Sequence, residues 1–275
     1  MKFKKYDDDV LKHIQDVELM ILKDFIKICE ENNLDYYLFF GTHLGAVRHK
    51  GFIPWDDDID IMMFREDYEK FLKIMESLNS NKYEVLDCRY KSDYFFQFGK
   101  LCLIGTHTSE EWDNQISYKT GIHIDLFILD KVPNNKIKSF IFIRRCFILN
   151  KLYALSTIKF EGYSKIIQLI TGFMHYILNH LGFTSKYFQK RVSKVFRKYE
   201  HDETNFVSDL TLNEKLRFKI SDFEPHEEVI FEDIIARIPK ESDDVLRRLF
   251  GDYMKLPPEE ERFNHALDTL DFGKY

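Results

Sequence analysis

The sequence predicts a mixed α/β protein, α+β in arrangement: a mixed β-sheet flanked by helices, with a basic helical insertion. Three observations predict it. A long helical period opens the chain, and short strand-like runs then alternate with helices up to residue 130. From 137 to 198 the pattern is helical, with no strand signal.

Taken in order, Val10, Ile14, Val17, Ile21, Phe25 and Ile28 recur at helical spacing through residues 9–33, behind Asp7 to Asp9, which suit the positive end of a helix dipole. Tyr36 to Phe40 reads as a short buried strand, and Gly41-Thr42 as a tight turn whose backbone N–H groups can face an oxyanion. Asp58-Ile59-Asp60-Ile61 alternates as a strand. Arg65 to Leu78 is an amphipathic helix with Tyr68, Phe71, Leu72 and Met75 on one face. Glu84 to Asp87, Phe95 to Leu103 and Ile122 to Leu129 read as strands. The helices of 137–198 are expected to break at Gly162, Gly172 and Gly182. Strands return at Phe218 to Ile220 and Val229 to Phe231. A last helix is N-capped by Ser242, carries Asp243 and Asp244 in its first turn, and ends at Gly251. This divides the chain into a core of residues 1–130, an inserted basic lobe of 131–200, and a 201–275 segment that completes the core.

The acid-rich stretch Gly41 to Asp60 carries the chemistry. In a strand, Asp58 and Asp60 project to the same face about 7 Å apart. Two such carboxylates repel unless a cation lies between them, and hard oxygen ligands favour magnesium, which also accepts phosphate oxygens. An acidic surface turn would explain Asp56-Asp57-Asp58 alone, but not its union with the glycines upstream and the alternation downstream. Arg48, His49 and Lys50 lie between. Arg48 suits a phosphate clamp because its planar fork binds two oxygens; His49 fits either phosphate or a solvated loop.

With 275 residues, 44% hydrophobic, the chain can bury one large domain or a domain plus a lobe. Cys29, Cys88, Cys102 and Cys146 form no CxxC pair, which argues for buried thiols in a reducing compartment. The opening MKFKKYDDDV has no apolar run, so a cleaved signal peptide is not expected. The net charge of −6 hides an asymmetry. Residues 131–198 hold fourteen Lys/Arg against one acid, Glu161, while the remainder holds 26 basic and 45 acidic residues. Ile166 to Ser185 carries no formal charge, yet Gln168, His175, Asn179 and His180 argue against a membrane-spanning helix. Two readings of the basic lobe remain: helices that lie on an anionic membrane surface, or ordinary helices with solvated lysines. No nucleic-acid module accompanies the lysines, so nucleic acid is not an expected partner.

Three motifs carry a family resemblance. They are GTHLGAVRHKGFIPWDDDIDI from Gly41 to Ile61, Gly121-Ile-His-Ile-Asp-Leu-Phe127, and Phe250-Gly-Asp-Tyr-Met-Lys-Leu-Pro-Pro-Glu-Glu-Glu-Arg262. In these the sequence resembles the LicD family, and more distantly the fukutin-related proteins, within the nucleotidyltransferase-like superfamily. His43 departs from an apolar residue of the family pattern. The resemblance spans most of 10–130 and 223–265 and leaves the stretch between uncovered.

The resemblance implies a nucleotidyltransferase-like sheet and transfer of a phospho-alcohol, phosphocholine in the best-known members. The donor would be a CDP-alcohol, with CDP-choline leading. The acceptor would be a sugar hydroxyl of a teichoic acid, capsule or lipopolysaccharide precursor, lipid-linked or at the cell surface. It also implies Asp58, Asp60 and Asp125 as catalytic carboxylates around Mg2+, with Mn2+ as the substitute. Gly41, Thr42, Arg48, Lys100, Arg262 and His265 would bind substrate and phosphate. The expected location is cytoplasmic, peripheral on the inner face of the cytoplasmic membrane. Two rivals stand beside this reading: a nucleotidyltransferase acting on a sugar or alcohol phosphate, and a non-catalytic glycan- or membrane-binding protein.

Further residues are weighed with these. Asp125 can also take the acceptor's proton; Asp130 competes, but Pro133 suggests that it sits in a turn. Lys100, in an otherwise apolar strand, is hard to explain as surface decoration. His123 shares a face with Asp125 and suits either the site or the core. Trp55 suits either stacking on a base or choline cation, or anchoring of the turn. Tyr253 is expected to pack. His107, Thr108 and Glu110 are weaker candidates.

Overall fold

A computed structural model describes residues 5–109, 113–160, 164–211, 216–264 and 266–275. Glu110, Glu161, Gly162 and His265 therefore lie outside the described residues. In chain order the elements are α1 (Asp8–Glu31), β1 (Tyr37–Leu38), α2 (Phe40–His49), β2 (Asp60–Phe64), α3 (Arg65–Leu78), β3 (Tyr83–Leu86), β4 (Gly99–Leu103), β5 (His107–Ser109) and β6 (His123–Val132). Then follow α4 (Lys136–Thr157), α5 (Lys165–His180), α6 (Ser185–Phe196), β7 (Phe206–Asp209), β8 (Arg217–Lys219), β9 (Glu227–Phe231), β10 (Ile234–Ile238), α7 (Ser242–Phe250) and β11 (Thr269–Asp271).

β6 organises the main sheet. It pairs parallel with β2 along one edge. Along the other edge it pairs antiparallel with β4 in its first half and with β7 in its second. β1 and β3 extend the sheet beyond β2 and β4, and β8 beyond β7. The mixed α/β expectation holds. Both faces of β2 and β6 are covered, as their near-continuous apolar runs require. Ile61, Met63, Ile124 and Leu126 pack on Ile21 and Phe25 of α1 and Phe71 of α3. Met62, Phe127 and Leu129 pack on Phe39, Phe218, Phe223 and Val245.

Several expected boundaries shift. The strand foreseen from Phe95 begins only at Gly99, where a side chain would collide with the Tyr68 hydroxyl. β7 was not foreseen; Phe206–Asp209 is short and gains its partner only from β6. Gly172 does not break a helix but lies inside α5, because an internal glycine costs about 1 kcal/mol rather than removing a hydrogen bond. Gly182, at φ +81°, does end it. Asp130 sits not in a turn but inside β6, 3% exposed.

α4, α5 and α6 share a core around Phe142, Cys146, Tyr153, Phe188 and Val192, which reaches the sheet at Val132. Ion pairs tie this helical layer to the sheet. Arg65 grips Asp130 with two hydrogen bonds of 2.8 Å. Glu69 on α3 accepts from Arg89 at 2.6 Å and from Arg197, just after α6, at 3.2 Å. All four cysteines are buried free thiols.

α2 meets α7 through His43, fully buried, with Nε2 2.7 Å from the Ser242 hydroxyl and Nδ1 without a hydrogen-bond partner. Ser242 is the first helical residue rather than the cap, so its hydroxyl serves the histidine instead. Burial pushes the His43 pKa down from 6.5 to about 3. Between those values the unfolded chain binds the proton and the native chain does not, so stability falls as pH falls through that window. His43→Leu should flatten this acid loss by up to about 1.4 kcal/mol per pH unit. Denaturant unfolding at pH 7 and 4.5 measures it; an unchanged slope would mean that the native ring accepts the proton.

Candidate active site

Strand register assembles the site. Asp60 of β2 is the register partner of Asp125 on β6, and Asp125 is the partner of Lys100 on β4. Residues paired across a ladder point to one face, so the three side chains form a row across adjacent strands. Asp58, two residues before Asp60, adds its exposed carboxylate at the same end.

The backbone of Asp60 is fixed from both sides. Its N–H donates to the Thr42 hydroxyl at 2.8 Å, and its carbonyl accepts from Phe39 N–H at 2.9 Å. Asp125 N–H donates to the Ile59 carbonyl at 2.9 Å, extending the ladder past β2. Gly41 and Thr42 are not a turn. They are the second and third residues of α2, so the chain reverses before them, at Phe40, whose φ is +43°. Gly41 is needed for another reason: a Cβ there would lie 2.7 Å from an Asp56 carboxylate oxygen. The acid turn therefore packs directly on the start of α2.

Lys100 is 7% exposed and reaches two partners. Its ammonium donates to Asp125 Oδ1 at 2.9 Å and to His123 Nε2 at 2.6 Å. His123 Nδ1–H donates to the Gly121 carbonyl at 2.8 Å, which leaves Nε2 as the acceptor. Burial and the neighbouring ammonium push its pKa down to about 4. His123 thus faces the site as a neutral ring that positions Lys100. Phe96 and Phe98 flank the ammonium with ring centroids at 5.6 and 5.7 Å.

The acids repel one another. Burial, then Asp58, Asp125 and Asp56, hold the Asp60 carboxyl well above the usual range, with Lys100 opposing. A residue not foreseen joins them: Glu18 of α1, 5% exposed, lines a cavity of about 280 Å³ with Asp57, Asp58, Lys100, His123 and Asp125. Burial and then Asp58, Asp57 and Asp125 raise its carboxyl in the same way. Beside it, Gln15 donates to the Asp56 carbonyl at 2.9 Å. The signal was present in the sequence, because Gln15 and Glu18 interrupt the apolar face of α1 next to Ile14, Val17 and Ile21.

Among the described residues, no three His, Cys, Asp or Glu side chains are gathered closely enough to hold an ion by themselves. The donor set nonetheless suits a hard cation, being all carboxylate oxygen, with burial and then the neighbouring acids raising the Asp60 pKa. A divalent ion here would share its coordination with substrate oxygens and water.

Two of the predicted phosphate binders form a second, basic group: Arg48 lies ten residues before Asp58, and Arg262 lies against Trp55, three residues before Asp58. Arg48 donates to the Tyr253 carbonyl at 2.8 Å and to His49 Nε2 at 2.9 Å. Arg262 donates to the Pro257 carbonyl at 2.9 Å, and its guanidinium lies 5.0 Å from the Trp55 ring centre. Burial, then Arg262, lowers the Arg48 pKa, so the two guanidinium groups feel each other. Among the described residues neither is paired with a carboxylate. Trp55 is covered by Arg262 and serves as an anchor; Tyr253 packs with Leu44, Ile53 and Leu246. Thr108 is buried, its hydroxyl bonded to the Thr120 carbonyl at 3.2 Å. His107 pairs its strand with β11.

A larger cavity, about 490 Å³, opens at the other end of β2 and β6 beside Phe64 and Asp130. It holds none of the predicted site residues, and its strongest acid and base already satisfy each other as the Arg65–Asp130 pair.

Comparison with known proteins shows the family. Residues 33–165 match the family profile described as LicD/FKTN/FKRP, nucleotidyltransferase domain. The lipopolysaccharide cholinephosphotransferase LicD of Haemophilus influenzae is 30% identical over 267 residues, covering 94% of this chain and 96% of that protein. An uncharacterised protein of Rickettsia prowazekii is 33% identical over 162 residues, 57% of this chain and 51% of its own. The similarity covers nearly the whole of both chains: the chain belongs to the LicD family, and it is a transferase.

Proposed function

We propose that the chain transfers a phospho-alcohol, phosphocholine in the leading case, from a CDP-alcohol donor to a sugar hydroxyl of a cell-surface glycan precursor. Magnesium is the proposed cation, with manganese as its substitute. The observation that carries the reading is the Asp58–Asp60–Asp125–Lys100 row together with the Arg48–Arg262 pair, which is linked to the row through Trp55, three residues before Asp58. The activity named for the Haemophilus relative supports the choice of alcohol and of a lipopolysaccharide-type acceptor.

Two guanidinium groups that repel each other gain most from an anion between them, so Arg48 and Arg262 bind the donor phosphates. Lys100, fixed by His123, adds a charge beside Asp125 and offsets negative charge at the phosphorus. Thr42 keeps Asp60 in place. The acceptor oxygen forms the new bond to phosphorus as the bond to cytidine monophosphate breaks and carries away its electron pair; Asp125 takes the hydroxyl proton. Magnesium, when bound, supplies the charge that lets carboxylates and diphosphate oxygens share one site.

The reading includes a place of work, the inner face of the cytoplasmic membrane. No described helix is long and apolar enough to cross a membrane. On α5, however, Ile166, Leu169, Ile170, Phe173 and Tyr176 are 59–74% exposed at helical spacing. The opposite side of the helix, through His175 and Asn179, bonds to the Leu155 and Ser156 carbonyls of α4. An outward apolar stripe in a segment with fourteen basic residues and one acid complements an anionic lipid surface. A lipid-linked acceptor would be met there.

Asp58→Asn and Asp60→Asn should each lower turnover at least roughly a thousandfold; near-normal turnover in either variant sinks the site assignment. Asp60→Asn should also stabilise the protein. The unfolded chain ionises Asp60 near 3.8 and the native chain only well above that. Stability is therefore lost as pH rises through the interval, and asparagine removes the loss. In metal-free buffer at pH 7, Tm of Asp60→Asn should exceed that of the wild type; an unchanged or lower Tm would mean that the native carboxyl ionises without cost. Product analysis separates this reading from nucleotidyl transfer, which the family description keeps open: cytidine monophosphate supports phospho-alcohol transfer, and pyrophosphate the rival. The protein should sediment with anionic vesicles at low salt, be released at high salt, and lose most of its binding in Phe173→Glu; indifference to vesicle charge would remove the membrane from the account.

A further inference from the structure

We infer that the cavity between α1 and the acid row is the subsite for a quaternary ammonium head on the transferred alcohol, with Glu18 as its charge partner and Tyr6 as its aromatic wall. The inference rests on the proposed phospho-alcohol transfer and assigns the side of the row on which the alcohol lies. The Arg48–Arg262 pair takes the other part of the donor.

The cavity, about 280 Å³, has two kinds of lining. Tyr6, Ile14 and Leu267 give it ring and hydrocarbon; Glu18 and Asp57 give it negative charge next to Asp58 and Asp125. Glu18 supplies the second, independent observation. Its side chain is 5% exposed, and Oε2 is buried with no hydrogen-bond partner. A buried carboxylate oxygen normally finds a donor. A trimethylammonium group has positive charge and no N–H to donate, so it complements a carboxylate that no donor fills, while its methyl groups suit apolar walls and an aromatic face. A neutral sugar gains nothing from the surplus of acids. Asp58 and Asp125 of the same lining are the proposed magnesium ligands, so the ammonium head is assigned to the side formed by Glu18 and Tyr6.

The cavity is also built rather than incidental. The Tyr6 hydroxyl accepts from Leu267 N–H at 2.9 Å, and Tyr6 N–H donates to Asn264 Oδ1 at 3.2 Å. These bonds clamp the segment before α1 to the one that follows the terminal motif. The ring is thereby held over the acids by a closure between the two ends of the chain.

The test compares two donors with the full-length protein and magnesium: CDP-choline and its carbon isostere, CDP-3,3-dimethylbutanol, in which the quaternary nitrogen is replaced by carbon. Wild type should favour CDP-choline in kcat/KM by about tenfold or more. Glu18→Gln should cost the choline donor about tenfold more than the isostere, chiefly in KM, and Tyr6→Leu should shrink the preference in the same direction. Equal losses on both donors in Glu18→Gln and Tyr6→Leu would make these residues structural or metal-linked and overturn the subsite. So would a wild type that uses both donors equally well. Turnover of the isostere without preference leaves the transferase reading standing; turnover of neither donor ends both.

Discussion

Parallel pairing of β2 with β6 is the constraint on which the rest depends. It sets Asp60 opposite Asp125, and antiparallel pairing of β4 then sets Lys100 beside Asp125. A slip of one residue in either ladder would send an acid to the apolar face and an isoleucine or leucine to the site. The register is held by apolar residues on both faces, Ile61 and Leu126 on one and Met62 and Phe127 on the other. The core therefore does more than stabilise the fold. It fixes the spacing of like charges that would otherwise move apart.

Those charges are kept close at a cost that the native protein tolerates. Burial and mutual repulsion raise the pKa of Asp60 and of Glu18, while Arg48 lies near enough to Arg262 to feel its charge. Acids without enough base and bases without acid, neighbours in space, describe a surface that is complete only with a ligand carrying both signs. The proposed donor, a diphosphate diester that ends in a cation and comes with a divalent metal, would be such a ligand. Strain of this electrostatic kind is typical of sites where function and stability pull apart.

Much of this was legible in the sequence. Alternation drew attention to Asp58 and Asp60, although β2 begins only at Asp60, and the apolar surroundings of Lys100 marked it as a residue in need of a buried partner, which Asp125 is. The helical period of α1 was read correctly, but only its apolar members were read. Gln15 and Glu18 on the same face were the sign that this helix borders a polar cavity. Gly41-Thr42 misled because a glycine at a helix start and one in a turn look alike; the contact with Asp56 that demands glycine comes from residues fifteen positions away. Asp130 misled because Pro133 lies just past the end of β6, and only its partner Arg65 explains a buried acid there.

β6 joins two ends of the molecule with one unbroken strand. Asp125 stands near its start, and Asp130 near its finish, about 17 Å further along. At that finish Arg65 holds Asp130, and Glu69 links Arg65 to Arg197 beneath the helical layer. The strand acts as a ruler. If α5 rests on a surface as proposed, the length of β6 would help to set the height of the acid row above that surface. An acceptor anchored in the same surface would then have to present its hydroxyl at that height, which would make the length of its spacer a criterion of selection in its own right.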